Sequence, residues 1–370
     1  MKNILFLHSS SELYGSDRSL LNLLKNLDRS EFNLSVILPC DGPLVEEIKK
    51  LNDVNIIIQE LAILRRKNLN IKGIFSYIKD LFKSINFLKG IITENNVDVV
   101  YTNTSVVFPG GITAKLLGKK SVWHIREIIS NKFERKVVSF IVNTFSDVII
   151  ANSKSTGEAI TKNNKKVKVV YNAIESKPEA KKHQKIDDTI VIGMAGRINR
   201  WKGQKLFIDM AKDILNQTNN VKFKIAGDVY KGEEHILEDI KLYVKEKNIE
   251  EYIEFLGQVN NMDKFYNSID IFILPSIQPE PFGLVVIEAM EKELPVVATN
   301  HGGPTEIIDN GIDGYLVDYT NSKEMSNRTL ELIKDIELRK EIGKRAKEKR
   351  NRIFNIEKYV KDISKILIQV

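Results

Sequence analysis

The chain has 370 residues, and at about 150 residues per domain this length suggests two domains. Hydrophobic residues make up 42% and charged residues 28% of the chain, values that exclude a mainly disordered protein. The single cysteine, Cys40, excludes a disulfide framework and a metal site made of several cysteines. No run of about 18 apolar residues predicts a transmembrane helix. The opening MKNILFLHSS has one positive charge and no cleavage site after it, so it indicates a first strand rather than a signal peptide.

Charge is unevenly distributed along the chain. The total is 56 Lys and Arg against 49 Asp and Glu, a net charge of +7. Residues 1–172 hold 25 basic and 16 acidic residues, a net of +9, whereas the rest hold 31 and 33, a net of −2. A basic half indicates an anionic partner, such as phosphate or a membrane surface, although solvated lysine faces are an equally good explanation. No nucleic-acid-binding motif accompanies the charge, so we expect no nucleic-acid partner.

The first half of the chain alternates short apolar runs with longer segments of helical period. Two of the helical segments are Ser16–Leu27 and Ile71–Thr93. This alternation predicts an α/β fold with a parallel sheet covered by helices on both faces. The predicted strands are Asn3–His8, Asn33–Leu38, Asp98–Thr102, Ser121–Ile125 and Asp147–Ala151.

A polar stretch without period, residues 173–188, predicts a linker, after which the α/β pattern starts again. We therefore predict two doubly wound domains, residues 1–172 and 173–354, with a final helix over 355–370 that packs back on the first. Ligands bind at the carboxyl ends of parallel strands, so we expect an active site in a cleft between the domains. The predicted elements of the second half are the strands Thr189–Ala195, Lys222–Ala226, Ile269–Leu274 and Pro295–Ala298 and the helices Gln204–Asn216, Glu233–Lys247 and Leu284–Glu291.

Two predicted strand–helix loops have residues suited to phosphate. In the first, Gly15 follows a strand and opens a helix, where free N–H groups can bind an anion. The alternative is an ordinary turn with Ser16 as the helix N-cap. In the second, Arg197 can form paired hydrogen bonds to phosphate oxygens and Lys202 adds a mobile charge, unless the loop is simply a basic turn. Neither loop has the glycine pattern of a Walker or dinucleotide-binding motif.

A pair of carboxylates, Glu280 and Glu288, brackets the start of a predicted helix. Glu280 lies in a proline-rich loop after a strand, and Glu288 lies inside the helix that begins near Gly283. Two carboxylates at this spacing can bind vicinal hydroxyls of a ribose and a hexose. N–H groups of Phe282, Gly283 and Leu284 can serve a ligand between them. The alternative, two solvated or capping glutamates, explains less of the pattern.

Several motifs occur together and in family order. The chain therefore resembles the retaining glycosyltransferases of family 4, which have the GT-B fold of two Rossmann-like domains. The match covers nearly the whole chain and is looser in the first half, at Gly15, at LPCDGPLVEEI and at WHIRE. The motifs are Gly196-Arg197 with Lys202-Gly203, Ala226-Gly227-Asp228, Phe255-Leu256-Gly257, the Glu280 and Glu288 pair, and Gly302-Gly303-Pro304-Thr305-Glu306.

The resemblance implies a role for each candidate site residue. Arg197 and Lys202 would bind the diphosphate of a nucleotide sugar and stabilise the leaving group. Glu288 would hold the ribose, and Glu280 with the N–H groups of Phe282–Leu284 would hold the sugar. The remaining implied contacts are Gly15 to phosphate and sugar, His124 to the sugar, and Gly257 and Val259 to the base. Taken alone, His124 is explained equally well as a structural residue beside Trp123.

The chemistry agrees with this resemblance, because a departing diphosphate must be neutralised by a metal or by side chains. No two Asp residues in the chain are separated by one residue. The D-x-D metal motif is therefore absent, and we expect neither a metal nor a cofactor. The family retains configuration, and we name no nucleophile.

A nucleotide-sugar epimerase on the same fold is the main alternative function. A dinucleotide-dependent dehydrogenase is disfavoured because this chain lacks the G-x-G-x-x-G motif. A non-catalytic sugar-binding protein would leave the diphosphate site unused.

We expect UDP rather than GDP as the nucleotide of the donor. We expect a saccharide or lipid-linked acceptor, a cytoplasmic protein and a role in bacterial surface polysaccharide synthesis. The Ile71–Thr93 helix bears on the membrane question, with Arg65-Arg66-Lys67 before it. Its apolar face faces the core in one interpretation and an anionic membrane in the other. That face consists of Ile71, Ile74, Phe75, Ile78, Phe82, Ile85 and Ile92, and Lys72, Lys79, Lys83 and Lys89 lie beside it.

Overall fold

The structure is a computed structural model that describes residues 1–64, 70–162, 165–176 and 188–370. These residues form two compact units. Unit 1 comprises Met1–Ile174 and Ile356–Val370, and unit 2 comprises Glu175–Asn355. The predicted basic run Arg65-Arg66-Lys67 and residues 177–187 of the predicted linker lie outside the described residues.

Unit 1 is a parallel sheet covered by helices on both faces. Its strands, within the described residues, are β1 (Lys2–Leu7), β2 (Phe32–Leu38), β3 (Val54–Ile58), β4 (Val99–Thr102), β5 (Lys120–Ile125), β6 (Val148–Ala151) and β7 (Val167–Val169). Its helices are α1 (Gly15–Asn26), α2 (Pro43–Lys49), α3 (Ile71–Glu94), α4 (Phe108–Leu116), α5 (Lys132–Phe145), α6 (Lys154–Ile160) and, from the end of the chain, α14 (Ile356–Gln369). The strand order is β3-β2-β1-β4-β5-β6-β7, with every pair parallel.

The alternation of side chains along β1 builds both layers of unit 1. Ile4 and Phe6 pack with α1, α2 and α14 on one face. Leu5 and Leu7 pack with α3 and α4 on the other. Because both faces are covered, the central strands consist of continuous apolar residues.

Unit 2 repeats this architecture with its own sheet. Its strands in the described part of the chain are β8 (Ile190–Ala195), β9 (Val221–Ala226), β10 (Ile253–Gly257), β11 (Ile271–Leu274), β12 (Val296–Thr299) and β13 (Tyr315–Val317). Its helices are α7 (Gln204–Leu215), α8 (Glu234–Glu246), α9 (Met262–Asn267), α10 (Leu284–Glu291), α11 (Pro304–Ile307), α12 (Ser322–Lys334) and α13 (Ile336–Ile353). The strand order is β10-β9-β8-β11-β12-β13, so the order reverses between β8 and β11.

The prediction of two parallel α/β sheets is confirmed, and the sequence locates the inner strands to within one or two residues. The strands missing from the prediction are β3, β7, β10 and β13, which are the edges of the two sheets. An edge strand exposes one side, so exposed positions interrupt its buried residues, as in the Ile253–Gly257 strand. This weakens the apolar run that marks an inner strand.

Candidate functional site

Three loops of unit 2 meet where β8, β11 and β12 end. Gly203 precedes α7 with φ of +78°, and a Cβ there would lie 1.7 Å from the carbonyl oxygen of Pro275, just after β11. Gly302 follows β12 with φ of +70°, and its Cβ would lie 2.3 Å from the carbonyl oxygen of Glu280. Only glycine fits these backbone conformations and close approaches. The loops therefore converge at the reversal of strand order, where ligands bind in open α/β sheets.

Lys202 and Glu280 form an ion pair within these loops. Lys202 Nζ lies 2.6 Å from Glu280 Oε2, and the two side chains are only 14% and 11% exposed. The Ser276 hydroxyl donates a hydrogen bond to the same oxygen at 3.0 Å. The structure thus joins a residue predicted for phosphate to one predicted for the sugar, and a ligand would meet them as one pair.

Arg197 comes two residues after β8 and stacks on an aromatic ring. Its Cζ lies 3.4 Å from the centroid of the Tyr230 ring, a cation–π contact that restricts the guanidinium. Asn199 Oδ1 accepts hydrogen bonds from the N–H groups of Trp201 and Lys202, which shapes the turn between the two cations. Tyr230 was not among the predicted site residues; its place soon after Ala226-Gly227-Asp228 was the available signal.

Glu288 lies in α10 and accepts a hydrogen bond from the Tyr266 hydroxyl at 2.7 Å. This bond orients a half-buried carboxylate on a helix. Phe282 packs its ring against Phe354, with centroids 5.8 Å apart, so its side chain belongs to the core. Gly283 and Leu284 then form the N-terminus of α10, as the sequence predicts.

The residues predicted to approach the base lie at the end of β10. The carbonyl oxygen of Gly257 accepts a hydrogen bond from the N–H of Gly227 at 2.8 Å. Val259 is half-buried in the loop that follows. Because β10, β9 and β8 are consecutive in the sheet, these residues share one sheet edge with Arg197.

His301 is a neighbour of the site that sequence reasoning missed. Its Nε2 lies 2.7 Å from the carbonyl oxygen of Ser276, and its ring stacks on Tyr319 with centroids 4.6 Å apart. A carbonyl only accepts hydrogen bonds, so the proton of this imidazole is on Nε2. The position directly before Gly302-Gly303 was the signal that could have identified it.

Gly15 is the first residue of α1 in unit 1 and is exposed. Asp17 Oδ2 accepts a hydrogen bond from the N–H of Tyr14 at 2.8 Å, so Asp17 caps this helix. The alternative interpretation with Ser16 as N-cap is wrong, because Ser16 lies inside the helix. The other carboxylate oxygen of the buried Asp17 lies 2.6 Å from His8 Nε2.

His124 lies in β5 and is completely buried. Its Nδ1 is 2.5 Å from the Tyr101 hydroxyl and 3.2 Å from Arg126 Nη2. Its Nε2 has no hydrogen-bond partner in the described part of unit 1. Burial, and then the charge of Arg126, lower the pKa of His124 well below its ordinary value. Any sugar contact would therefore be made by a neutral imidazole.

The apolar face of α3 divides into a buried and an exposed part. Ile85 and Ile92 are buried in the core, as the core-facing interpretation predicts. Phe75 and Phe82, however, are 72% and 64% exposed, and Ile74 and Ile78 are exposed beside them. The first half of α3 therefore presents aromatic and aliphatic side chains among exposed lysines.

A second helix, α5, shows the same combination. Phe133 and Phe140 are 70% and 71% exposed, and Lys132 and Lys136 beside them are also exposed. Both α3 and α5 pack against α4, so they flank one helix on the same face of the sheet. No helix among the described ranges is long and apolar enough to cross a membrane.

Metal-ligating side chains do not cluster in the residues that the structure describes, where no group of three His, Cys, Asp or Glu could hold an ion. Arg197 and Lys202 are the cations that we predict for the phosphates. Metal-independent transfer stays a prediction.

Two family models match the chain in succession. The model described as Glycosyltransferase Family 4 matches residues 14–177. The model described as Glycosyl transferases group 1 matches residues 175–349.

Relatives match over nearly the full length. An uncharacterised glycosyltransferase of Methanocaldococcus jannaschii is 30% identical over 359 residues, which cover 93% of this chain and 92% of that protein. The UDP-Gal:alpha-D-GlcNAc-diphosphoundecaprenol alpha-1,3-galactosyltransferase of Escherichia coli is 25% identical over 383 residues, which cover 96% of this chain and 92% of that enzyme. The crystal structure of Anabaena HepE in complex with UDP and glucose has a TM-score of 0.85 at 23% identity, with 100% of both chains covered. The likeness confirms the predicted GT-B fold class.

Proposed function

From the premise that the chain belongs to the group 1 glycosyltransferases of family 4, we propose that it transfers a hexose-type sugar with retention of configuration. The donor is a nucleoside-diphosphate sugar and the acceptor is a hydroxyl of a saccharide or a lipid-linked saccharide. The observation that carries this proposal is the Lys202–Glu280 pair at the carboxyl ends of the unit 2 strands, with Arg197 in the same loop as Lys202.

The pair and Arg197 suit the charge changes of such a transfer. As the bond from the anomeric carbon to the phosphate oxygen breaks, the electron pair leaves with the diphosphate, and Arg197 and Lys202 stabilise its growing negative charge. Glu280 faces the sugar, which becomes oxocarbenium-like. The acceptor hydroxyl attacks from the leaving-group side, and its proton passes to the departing phosphate oxygen.

The other candidate residues bind groups that do not react. Glu288, oriented by Tyr266, holds the ribose hydroxyls. Gly257 and Val259 approach the base, and the main chain of Phe282, Gly283 and Leu284 meets the sugar. In unit 1, family membership suggests that Gly15 contacts the phosphate and sugar and that His124 contacts the sugar.

The relatives support the choice of substrates. The Escherichia coli enzyme is named for a UDP-linked galactose donor and a diphosphoundecaprenol acceptor, and HepE was crystallised with UDP and glucose. We therefore propose a UDP-linked hexose as donor and a role in bacterial surface polysaccharide synthesis.

A nucleotide-sugar panel tests the proposed function. Thermal-shift binding to UDP- and GDP-sugars is followed by incubation with diphosphoundecaprenol-linked and free saccharide acceptors, with and without EDTA. We expect release of UDP, a new glycosidic bond of retained configuration and undiminished rate in EDTA. Loss of activity in EDTA that manganese restores would contradict metal independence, and epimerisation of donor alone would favour the epimerase alternative.

We also propose that the exposed faces of α3 and α5 bind an anionic membrane surface at the inner face of the cell membrane, so that the enzyme reaches a lipid-linked acceptor. Four exposed phenylalanines lie among lysines on these two helices. Aromatic side chains suit the membrane interface, and each Lys or Arg near an anionic leaflet contributes about 1 kcal/mol. The net charge of +9 over residues 1–172 has the required sign.

Vesicle co-sedimentation tests the membrane proposal. We expect binding to vesicles of anionic lipid, weaker binding as salt rises, and a marked loss in the double variant Phe75→Ser/Phe82→Ser. Leu242→Ser is the matched control, because Leu242 is an exposed apolar side chain on α8 of unit 2. Equal binding to neutral vesicles, or unchanged binding of the phenylalanine variant, would reject the proposal.

A further inference from the structure

Arg126 is a buried arginine whose guanidinium makes hydrogen bonds only to neutral groups. It follows β5 directly, and its guanidinium has five N–H donors. Each donor has an acceptor: Asn103 Oδ1 at 2.8 Å, Ser19 Oγ at 2.9 Å, Asn172 Oδ1 at 2.7 Å, Tyr359 Oη at 3.1 Å and His124 Nδ1 at 3.2 Å. Among the described residues no carboxylate forms an ion pair with it. A buried charge without a counter-charge is costly, which indicates a purpose other than stability.

The first consequence concerns the proton of His124. A guanidinium only donates hydrogen bonds, so Nδ1 of His124 must accept and carries no proton. Burial keeps the pKa of Tyr101 well above its ordinary value, so its hydroxyl stays protonated and can donate to the same Nδ1 at 2.5 Å. The proton of the neutral imidazole is therefore on Nε2, the atom without a partner in the described part of the chain.

The second consequence passes through Asn103 to the start of α1. Because Asn103 turns its oxygen to Arg126, its NH2 group faces His8 Nδ1 at 3.2 Å and donates to it. His8 then carries its proton on Nε2 and donates to Asp17 at 2.6 Å. Asp17 in turn caps α1 by accepting from the N–H of Tyr14, next to Gly15.

We propose that Arg126 is a positioning residue that places the protons of His124 and His8 on Nε2 and, through Asp17, sets the N-terminus of α1. His8, Asn103 and Arg126 directly follow β1, β4 and β5, so the network lies at the carboxyl ends of these strands. His124 then offers an N–H donor, suited to a sugar hydroxyl oxygen rather than to an ammonium or hydroxyl proton. That consequence for substrate rests on the proposed function; the proton positions do not.

The C-terminal helix takes part in the same network. Tyr359 of α14 accepts from Arg126 and lies 3.2 Å from the Ser19 hydroxyl of α1. The groups that face His124 are thus Tyr101 from β4 and Arg126, with Tyr359 behind Arg126. A neutral imidazole held by donors on Nδ1 is consistent with the lowered pKa of His124.

Nitrogen-15 NMR of histidine-labelled protein tests the proposal without any substrate. The chain has five histidines, which His→Gln variants assign. In the wild type we expect His124 and His8 to show an unprotonated Nδ1 and a protonated Nε2 at pH 7. Protonation of Nδ1 in either residue would overturn the proposal, even if every Arg126 variant failed to fold.

Variants then separate Arg126 from its neighbours. In Arg126→Gln we expect His124 to populate a second tautomer or become charged near neutral pH, whereas Tyr101→Phe should leave the proton on Nε2. Arg29→Gln is the matched control, because Arg29 lies just before β2, outside the network, and forms an ion pair with Asp53. The reverse pattern, with Tyr101→Phe releasing the proton and a folded Arg126→Gln keeping it, would assign the role to Tyr101.

Kinetics add a second readout. If the proposed transfer is right, Arg126→Gln should lower kcat on the order of 100-fold, as misplaced catalytic groups do, with a smaller change in donor KM. If the tautomers change in a variant but kcat does not, the proposed proton positions are supported. Such a result would also show that His124 has no role in the reaction. Absence of any transferase activity in the wild type would instead contradict the proposed function, while the NMR result would still decide the inference.

Discussion

Lys202 and Glu280 are 78 positions apart in the chain, yet their charged groups form one ion pair. The pairing means that neither residue acts alone. Removing Lys202 takes a cation from the proposed diphosphate site. It also leaves the largely buried carboxylate of Glu280 without its ion-pair partner. A loss of activity in such a variant therefore combines two effects, which kinetic constants can separate.

Glu280→Gln and Glu288→Gln should differ in kind. Glu280→Gln should lower kcat more than it raises donor KM, because its charge stabilises the developing cation only in the transition state. Glu288→Gln should mainly raise donor KM, because the ribose does not change during reaction. Tyr266→Phe should resemble Glu288→Gln, since it removes the bond that orients this carboxylate.

Arg197→Ala and Lys202→Ala should each cost on the order of 100- to 1,000-fold in rate, the usual loss for a preorganised donor. Steady-state kinetics give kcat and donor KM for these two variants and for Glu280→Gln and Glu288→Gln, after circular dichroism confirms folding. Lys205→Ala is the control, because Lys205 lies three residues beyond Lys202, in the first turn of α7, and is exposed. Near-wild-type kcat in both Glu280→Gln and Arg197→Ala would refute the assigned chemistry.

Burial of His124 makes stability depend on pH. Its pKa is lowered in the folded state, first by burial and then by Arg126. Below about pH 6.5 the unfolded chain binds a proton that the folded chain does not. Stability should fall as pH drops through that value, by up to about 1.4 kcal/mol per pH unit, until the folded-state pKa is reached.

Urea unfolding at pH 7.5 and 5.5 measures this contribution. His124→Gln should lose less stability between the two pH values than the wild type does. His235→Gln should behave as the wild type, because His235 is exposed on α8. Identical pH dependence in wild type and His124→Gln would show that the buried imidazole is not responsible.

At the scale of elements, α13 fixes the loop that follows α11. Lys349 of α13 is buried and forms ion pairs with Asp309 at 2.8 Å and Asp313 at 3.1 Å. Asp313 is itself buried, and its carboxylate also accepts from the N–H of Asp309. Desolvation raises the pKa of Asp313, so its charge depends on this lysine.

Lys349→Met should lower the free energy of unfolding by about 3 kcal/mol, since it leaves a buried carboxylate without its cation. The double variant Lys349→Met/Asp313→Asn should recover part of the loss. Lys340→Met is the control, because Lys340 pairs with Glu337 on the exposed face of the same helix. Equal stability of Lys349→Met and Lys340→Met in urea unfolding would contradict the prediction.

At the scale of the molecule, the end of the chain completes the first unit. Ile356, Tyr359, Ile363 and Leu367 of α14 are buried in the core that α1 and α2 share with the sheet. Each fully buried apolar side chain is worth about 1.5–3 kcal/mol, so together they rival the whole stability of a domain, about 5–15 kcal/mol. Unit 1 therefore depends on residues that follow unit 2 in sequence.

Deletion of residues 356–370 should unfold unit 1 and leave unit 2 folded. Hydrogen exchange resolves the two units, and protection should vanish from β1 to β6 while β8 to β12 stay protected. A finer pair on the same helix is Ile363→Ala against Ile368→Ala, because Ile363 is buried and Ile368 is 49% exposed. Equal protection of unit 1 in both point variants would reject this account of α14.

The amino-acid sequence is enough to predict the alternation of strands and helices, the inner strands of both sheets, and the family. These properties come from local patterns: an apolar run, a helical period, or glycines and charges at fixed spacing. Glu280, Glu288, Arg197 and Lys202 were found in this way, because each lies in a short motif next to a predicted strand or helix.

Which of these residues contact one another is seen only in the folded chain. Segments far apart in the chain are joined by the Lys202–Glu280 pair, by the stacking of Arg197 on Tyr230, and by the hydrogen bonds of the Arg126 guanidinium. Phe75 and Phe82 are exposed on a helix whose second half is buried, and the helical period did not predict this. A helical period indicates that one face is apolar, but it does not indicate what covers that face. Contacts between distant segments depend on packing and strand order, and these leave no periodic trace in the sequence.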